Sequence, residues 1–523
     1  MANITSLPPP LVVPTSGSWY GNDGSWSTFT IAVGNPPQEF AVLPATNVAN
    51  TWVPIADDCK ALNISDCGSK RGVYPFNNTI SPGFQSNFSS TWENIGLFEL
   101  GQNAFLGFSG NGAFGYDTVG LVRGDASQTV QIDHQPVTAY ASPDFWLGEI
   151  GLGNRGMNLG QHDHPASFLT NLKEAGGIPS RSFGYTAGAP YRSTKVPASL
   201  TLGGYDAGRA TENLKISLND DDDRPLTIAV QKIAVSNSFQ DDGELPITPF
   251  LIPIDSSVPD LWLPKSICDQ FESAFGLQYN DLTNRYILES KNHTFLQKND
   301  PVLNFTIGSQ LTDGPNITIQ LPYAAFDLQA GLPIFADTLN YFPIRRAANE
   351  SQYMMGRVFL QEAYLTVDYE RNYFNVSQAN YTLPTPEVKI QGIEPTDMPF
   401  NTTSPSDNPS NPAKKEKLSG GVIAGIAIGA VAGIALIAGL VWYFYPKRGK
   451  TYELEGGANQ PLEMPMKQHP EIGGNEVSEL VGDHGKLEFP GEGTVSEVDG
   501  VSRLVHELPT PVYELPTPIP EMK

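Results

Sequence analysis

Cysteine is scarce, with three in 523 residues, which excludes a disulfide-built scaffold and a Cys-rich metal module. Cys59 and Cys67 stand eight apart in a polar stretch, a spacing that permits one small disulfide in an oxidising compartment. Cys268 is left as a buried apolar residue with no chemistry assigned. Basic residues are also few, 32 Lys and Arg against 56 Asp and Glu, for a net charge of -24. A field of that sign repels polyanions, so nucleic acid is excluded as a partner. No phosphate loop and no Ser-centred nucleophile elbow occurs. His162, Asp163 and His164 precede Pro165 as an exposed loop rather than a metal set, and the Gly151 to Gly156 run fits a dinucleotide pattern without its strand-helix-strand context. Neither a metal nor a cofactor is expected.

What the chain has in quantity is Pro and Gly, 44 and 50 residues, among β-branched and aromatic residues that alternate with polar ones through the first three quarters. That pattern favours short strands over helices, and the length allows two lobes plus appendages. From Gly420 to Tyr445 no charge interrupts 26 residues, about 39 Å as a helix against a hydrocarbon core of about 30 Å. Trp442, Tyr443 and Tyr445 mark one interface, and Lys447, Arg448 and Lys450 the cytoplasmic side. Eleven N-x-S/T acceptors precede this span and none follows it: Asn3, Asn63, Asn77, Asn87, Asn292, Asn304, Asn316, Asn349, Asn375, Asn380 and Asn401. Glycosylation is lumenal, so a single-pass type I topology follows, with the N-terminal side outside, at the plasma membrane or along the secretory route. Such a chain needs an apolar leader, which Met1 to Val13 does not supply, so a leader is expected upstream of the sequence as given. Gly421, Gly425, Gly429 and Gly433 line one helix face through which two copies could pair in the bilayer. The Pro, Ser and Thr-rich residues 384–417 form an extended stalk, and 447–523 a disordered acidic tail, with fourteen Asp or Glu against four Lys or Arg beyond Lys450.

An internal repeat organises the remainder. Phe40 to Pro54 (FAVLPATNVANTWVP) has a counterpart 210 residues on in Phe250 to Pro264 (FLIPIDSSVPDLWLP), each an apolar strand, a tight polar loop, then Trp and Pro. Each copy belongs to one lobe of a duplicated structure, with the loops facing each other across a ligand cleft. On these motifs, with the run Val33 to Phe40, Leu202-Gly203-Gly204-Tyr205-Asp206 and Gly356 to Asp368 (GRVFLQEAYLTVD), the chain resembles the pepsin-like aspartic peptidases, the membrane-anchored fungal kind in particular. The resemblance implies an all-β, bilobed acid-protease fold with a shared sheet and a flap, followed by the single transmembrane helix. The domains are then an extension 1–18, an N-terminal lobe 19–205, a C-terminal lobe 206–383, the stalk 384–417, the span 418–446 and the tail 447–523.

That family works with two aspartates, one per lobe, sharing a proton and activating water between them; this dyad is a standard illustration of pKa tuning. Each opens an Asp-Thr/Ser-Gly loop seven residues before the Trp. Seven residues before Trp262 stands Asp255, followed by Ser256 and Ser257; seven before Trp52 stands Ala45, followed by Thr46 and Asn47. A methyl group holds no proton and orients no water, so ordinary peptidase activity is not expected. Glu39 should face away, and Asp57 and Asp58 should belong to a flexible polar surface loop. Asn47 and Ser257 replace the loop glycines, with Asn47 able to take a left-handed conformation, and the stretch Leu106 to Gly112 lacks the flap tyrosine of active members. The expectation is a non-catalytic binding or receptor-like glycoprotein with a peptide or protein ligand in its cleft. The alternative is an aspartic-type endopeptidase at the cell surface or in the secretory pathway.

Overall fold

The computed structural model describes residues 7–122, 129–159, 164–382 and 387–397. Asn3, Asn401, His162, Asp163, the proposed span with its glycine face, and the acidic tail lie outside the described residues. Among the described residues no helix is long and apolar enough to cross a membrane.

Strands dominate, as the alternation requires. The first half builds an eight-stranded sheet whose inner order runs Trp26–Val33, Gln38–Ala45, Gly148–Gly151, Thr51–Pro54, Thr129–Ala141. Gln38–Ala45 runs parallel to Gly148–Gly151, and Thr51–Pro54 parallel to Thr129–Ala141. The strand leading to Ala45 is buried on both faces apart from Glu39, which is exposed as expected. In the second half Leu261–Pro264 pairs in parallel with Ile344–Ala347 and antiparallel with Met354–Met355. A six-stranded sheet joins the halves: Ser182–Thr186 lies between Ser199–Leu202 and Ala363–Asp368, and Tyr364 Oη accepts from Asp206 N at 2.8 Å.

The helices are few and amphipathic. In Lys265–Phe275 the residues Ile267, Cys268, Phe271, Ala274 and Phe275 are buried at helical spacing. Gly276 ends the helix in the left-handed region at φ 60°, where a side chain would be strained. Cys268 is a buried free thiol, as the sequence suggests, with its pKa pushed up to about 12 by burial.

Two local expectations change. Cys59 and Cys67 are disulfide-bonded, but the segment between them is anchored rather than a loose loop. Asp57–Leu62 is helical, and Asp58 is buried against the Arg71 guanidinium, whose Nε and Nη2 donate to the carbonyls of Trp146 at 2.9 Å and Phe145 at 3.0 Å. Asp58 is therefore structural, since one buried cation neutralises it and ties the disulfide segment to the cleft wall. Within the segment read as stalk, Ile390–Gly392 pairs with Gly204–Asp206, and Lys389 N donates to Asp206 Oδ1 at 2.8 Å. The alternation Val388-Lys389-Ile390-Gln391 satisfies that sheet edge despite the flanking prolines.

Candidate functional site

The two repeat loops meet at the junction of the lobes. Thr46 N donates to Ser256 Oγ at 3.0 Å, Ser256 N donates to Thr46 Oγ1 at 3.0 Å, and Ser256 Oγ donates to Pro44 O at 2.6 Å. Thr46 and Ser256 are fully buried, so these bonds replace water that neither loop can reach. A pseudo-twofold arrangement continues beneath them. Val48 O accepts from Gly153 N at 2.7 Å, and Val258 O accepts from Arg357 N at 2.7 Å. A Cβ on Gly151 would stand 2.6 Å from Asn50 N, and one on Gly356 would stand 2.1 Å from Asp260 O. Only glycine fits under either loop. Asn47 and Ser257, by contrast, do not take positive φ. The loops keep ordinary backbone at the positions where the sequence suggests a left-handed one, and Asn47 turns outward to donate from Nδ2 to Asp223 O at 2.9 Å.

At the centre the two positions differ in kind. Ala45 is 0% exposed and packs with Val48, Trp52, Leu100, Phe114, Tyr140 and Phe145. Asp255 is 1% exposed. Its Oδ1 accepts from Ser257 N at 2.9 Å and from Ser257 Oγ, whereas Oδ2 has no hydrogen-bond partner among the described residues. Burial raises the Asp255 pKa, tempered by the Ser257 donors and then by the Arg357 guanidinium. No carboxylate on the first loop faces it.

A second carboxyl does stand nearby, on the neighbouring strand. Glu149 pairs in register with Leu43, and Gly151 with Ala45, so Glu149, Leu43 and Ala45 share one sheet face. Glu149 is 3% exposed, and its Oε2 lacks a partner among the described residues. Its pKa is held well above the usual carboxylate range, first by burial and then by the charge of Asp255, with Arg357 opposing. A cavity of about 20 Å³, room for one water, is lined by Glu149, Ser257, Arg357, Leu43 and Trp26 among others. Arg357 Nη1 donates to Ser256 O at 2.5 Å, and its guanidinium lies 4.5 Å from the Trp26 ring. The sequence gives no warning of Glu149, because only strand register carries it to this face.

The flap hairpin, between Glu93–Glu99 and Asn111–Val122, lies down on the C-terminal lobe. Leu106 is buried with Val258, Trp262, Ala347 and Met354, and Phe108 packs against both this cluster and the one around Ala45. Gln352 Nε2 donates to Phe105 O at 2.5 Å, and Asn103 Nδ2 donates to Ser257 Oγ at 3.4 Å. Leu106 and Phe108 thus tie the flap to the apolar clusters beside the two loops.

The model of the eukaryotic aspartyl protease family matches residues 28–379. The chain belongs to that family. Candidapepsin of Candida tropicalis is 22% identical over 362 residues, 69% of this chain and 81% of the relative. Candidapepsin-1 of Candida albicans (strain WO-1) is 24% identical over 359 residues, 67% of this chain and 81% of the relative. Pregnancy-associated glycoprotein 1 of Sus scrofa is 30% identical over 188 residues, 35% of this chain and 42% of the relative. The mostly β, pepsin-like architecture that the resemblance implies is thus the fold of this aspartyl protease relative.

Among the described acceptor asparagines, Asn63, Asn77, Asn87, Asn316 and Asn349 are exposed, while Asn292, Asn304, Asn375 and Asn380 are half-buried. No group of three or more His, Cys, Asp or Glu able to hold a metal occurs among the described residues.

Proposed function

We propose that this chain is a membrane-anchored, glycosylated and catalytically silent aspartyl protease relative, which holds a polypeptide in its cleft as a binding or receptor-like protein at the cell surface or along the secretory route. The observation that carries the reading is the buried methyl group of Ala45 at the place of the first carboxyl. Across from it Asp255 has a free Oδ2 and no acid on the facing loop with which to share a proton. The intact cross-lobe hydrogen bonds support a retained binding scaffold, and the uncharged run from Gly420 to Tyr445 supports the anchor. In this reading the flap, whose Leu106 packs on the C-terminal lobe, lifts to admit the ligand.

One observation favours endopeptidase action instead, the buried Glu149 that feels the charge of Asp255. The assay that separates the readings incubates the full chain with unstructured peptides at acidic pH, with and without an aspartic-peptidase inhibitor. No inhibitor-sensitive cleavage is expected. Hydrolysis that disappears in Asp255→Asn would overturn the silent reading.

A further inference from the structure

Away from the two repeat loops, a cavity of about 1100 Å³ opens between the lobes, and no residue of 45–48 or 255–258 lines it. Its size is that of a ligand site. One wall is aromatic. Trp19 and Tyr20, at the end of the edge strand Thr15–Tyr20, are half-buried, as is Tyr191, and Trp146 is fixed there by its Nε1 donating to Lys70 O at 3.1 Å.

The other wall is a continuous polar rail. Gln297 Nε2 donates to Asp327 Oδ2 at 3.0 Å, and His293 Nε2 meets Asp327 Oδ1 at 2.6 Å. Asn340 Nδ2 stands 3.1 Å from His293 Nδ1, and Gln329 Nε2 donates to Asn340 Oδ1 at 3.0 Å. With the imidazole proton on Nε2, every one of these contacts joins a donor to an acceptor. The rail is thereby oriented before any ligand arrives. It keeps spare capacity of both kinds, since Gln329 and Gln297 each retain an amide oxygen and a second N–H, and Asn340 a second N–H.

The charges limit what fits. Lys70 is the only Lys or Arg in the lining and Asp327 the only Asp or Glu, and both Asp327 oxygens are engaged. A polyanion meets one cation on a chain of net charge -24, and a cation finds no free carboxylate. An extended peptide adding to the Leu328–Ala330 edge finds the adjoining Gly331 N already donating to Asn22 O at 2.9 Å. A ligand with flat apolar faces, many hydroxyls that donate and accept, and no charge matches both walls.

We propose that this interlobe cavity is a binding site for a neutral oligosaccharide, with ring faces against Trp19 and Tyr20 and hydroxyls along the Gln297-Asp327-His293-Asn340-Gln329 rail. The site is independent of the Ala45 and Asp255 centre and of whether that centre is catalytic.

The test titrates the full chain calorimetrically with tetramers of glucose, mannose and N-acetylglucosamine, and with an unstructured neutral peptide. At least one saccharide should bind with Kd below about 1 mM. Trp19→Ala and Gln329→Leu should each weaken it about tenfold, with unchanged circular dichroism, while Asp255→Asn leaves it unaltered. Gln329 is exposed, so its variant folds even if the tryptophan variant does not. The proposal is overturned if no saccharide binds, if both variants keep wild-type affinity, or if the peptide occupies the cavity in place of the sugar.

Discussion

Replacing Glu149 by glutamine tests the electrostatics of the centre without touching Ala45 or Asp255. An unfolded glutamate titrates near about 4.3; in the folded chain Glu149 titrates well above that, because burial and then the charge of Asp255 disfavour its ionised form. The folded state therefore keeps a proton that the unfolded state releases. The associated stability is fully present below the unfolded value and is lost as pH rises through the folded one. The slope in that window is about 1.4 kcal/mol per pH unit for one proton. Glutamine mimics the protonated acid in shape and does not titrate, so the variant matches wild type near about pH 4 and gains on it as pH rises. The gain grows by about 1.4 kcal/mol for each pH unit over which the folded group keeps the proton that the unfolded chain has released. Urea unfolding followed by tryptophan fluorescence at several pH values measures it. On a chain of this size each kcal/mol corresponds to a melting shift of about 1–2 °C. Parallel stability curves for the two proteins, or a gap that opens toward low pH, would refute the placement of Glu149 as a buried acid beside Asp255.

Three further outcomes are expected. Ala45→Asp inserts a carboxyl into an apolar cluster that excludes water and costs about 2–4 kcal/mol at neutral pH, less under acid where the new group is protonated. Peptide assays on it should still show no cleavage, because a carboxyl placed among Val48, Trp52, Leu100, Phe114, Tyr140 and Phe145 is held neutral by its apolar surroundings and orients no water. Arg71→Ala leaves Asp58 buried without its cation and two carbonyls without their close donors, for a loss of about 3–5 kcal/mol in denaturant unfolding. Leu106→Asp detaches the flap from the C-terminal lobe, and amide exchange across residues 100–110 should accelerate on the order of tenfold or more with the central sheet unchanged.

The duplicated architecture was legible because its two loops lie on strands that end in the same Trp-Pro pair. Ala45 and Asp255 each stand seven residues before the Trp of their repeat, so the sequence alone marks them as equivalent positions. Contacts set by register or by steric closeness were not legible. Glu149 lies in a Gly-Glu-Ile-Gly run whose alternation has the form of an ordinary half-exposed strand, and only its parallel pairing with Leu43 turns it inward. Asp58 looked like surface because nothing near it in sequence announces Arg71, thirteen residues on. Composition also misled at Ile390–Gly392, where proline-rich flanks concealed a short strand whose partner is nearly two hundred residues upstream. Family members carry glycine at loop positions 47 and 257, yet the backbone here takes no positive φ at either, and the glycines that sterics demand are Gly151 and Gly356.

The sheet shared by the halves has a consequence for how the protein can be made and cut. Ser182–Thr186 needs Ala363–Asp368 as its neighbour, so a chain severed between the halves leaves the first with a bare, apolar strand border and the second with the complementary one. Neither piece is a free-standing module. A nick in a surface loop leaves the two fragments clasped, whereas a messenger that stops after the first half yields a product whose open border recruits other chains.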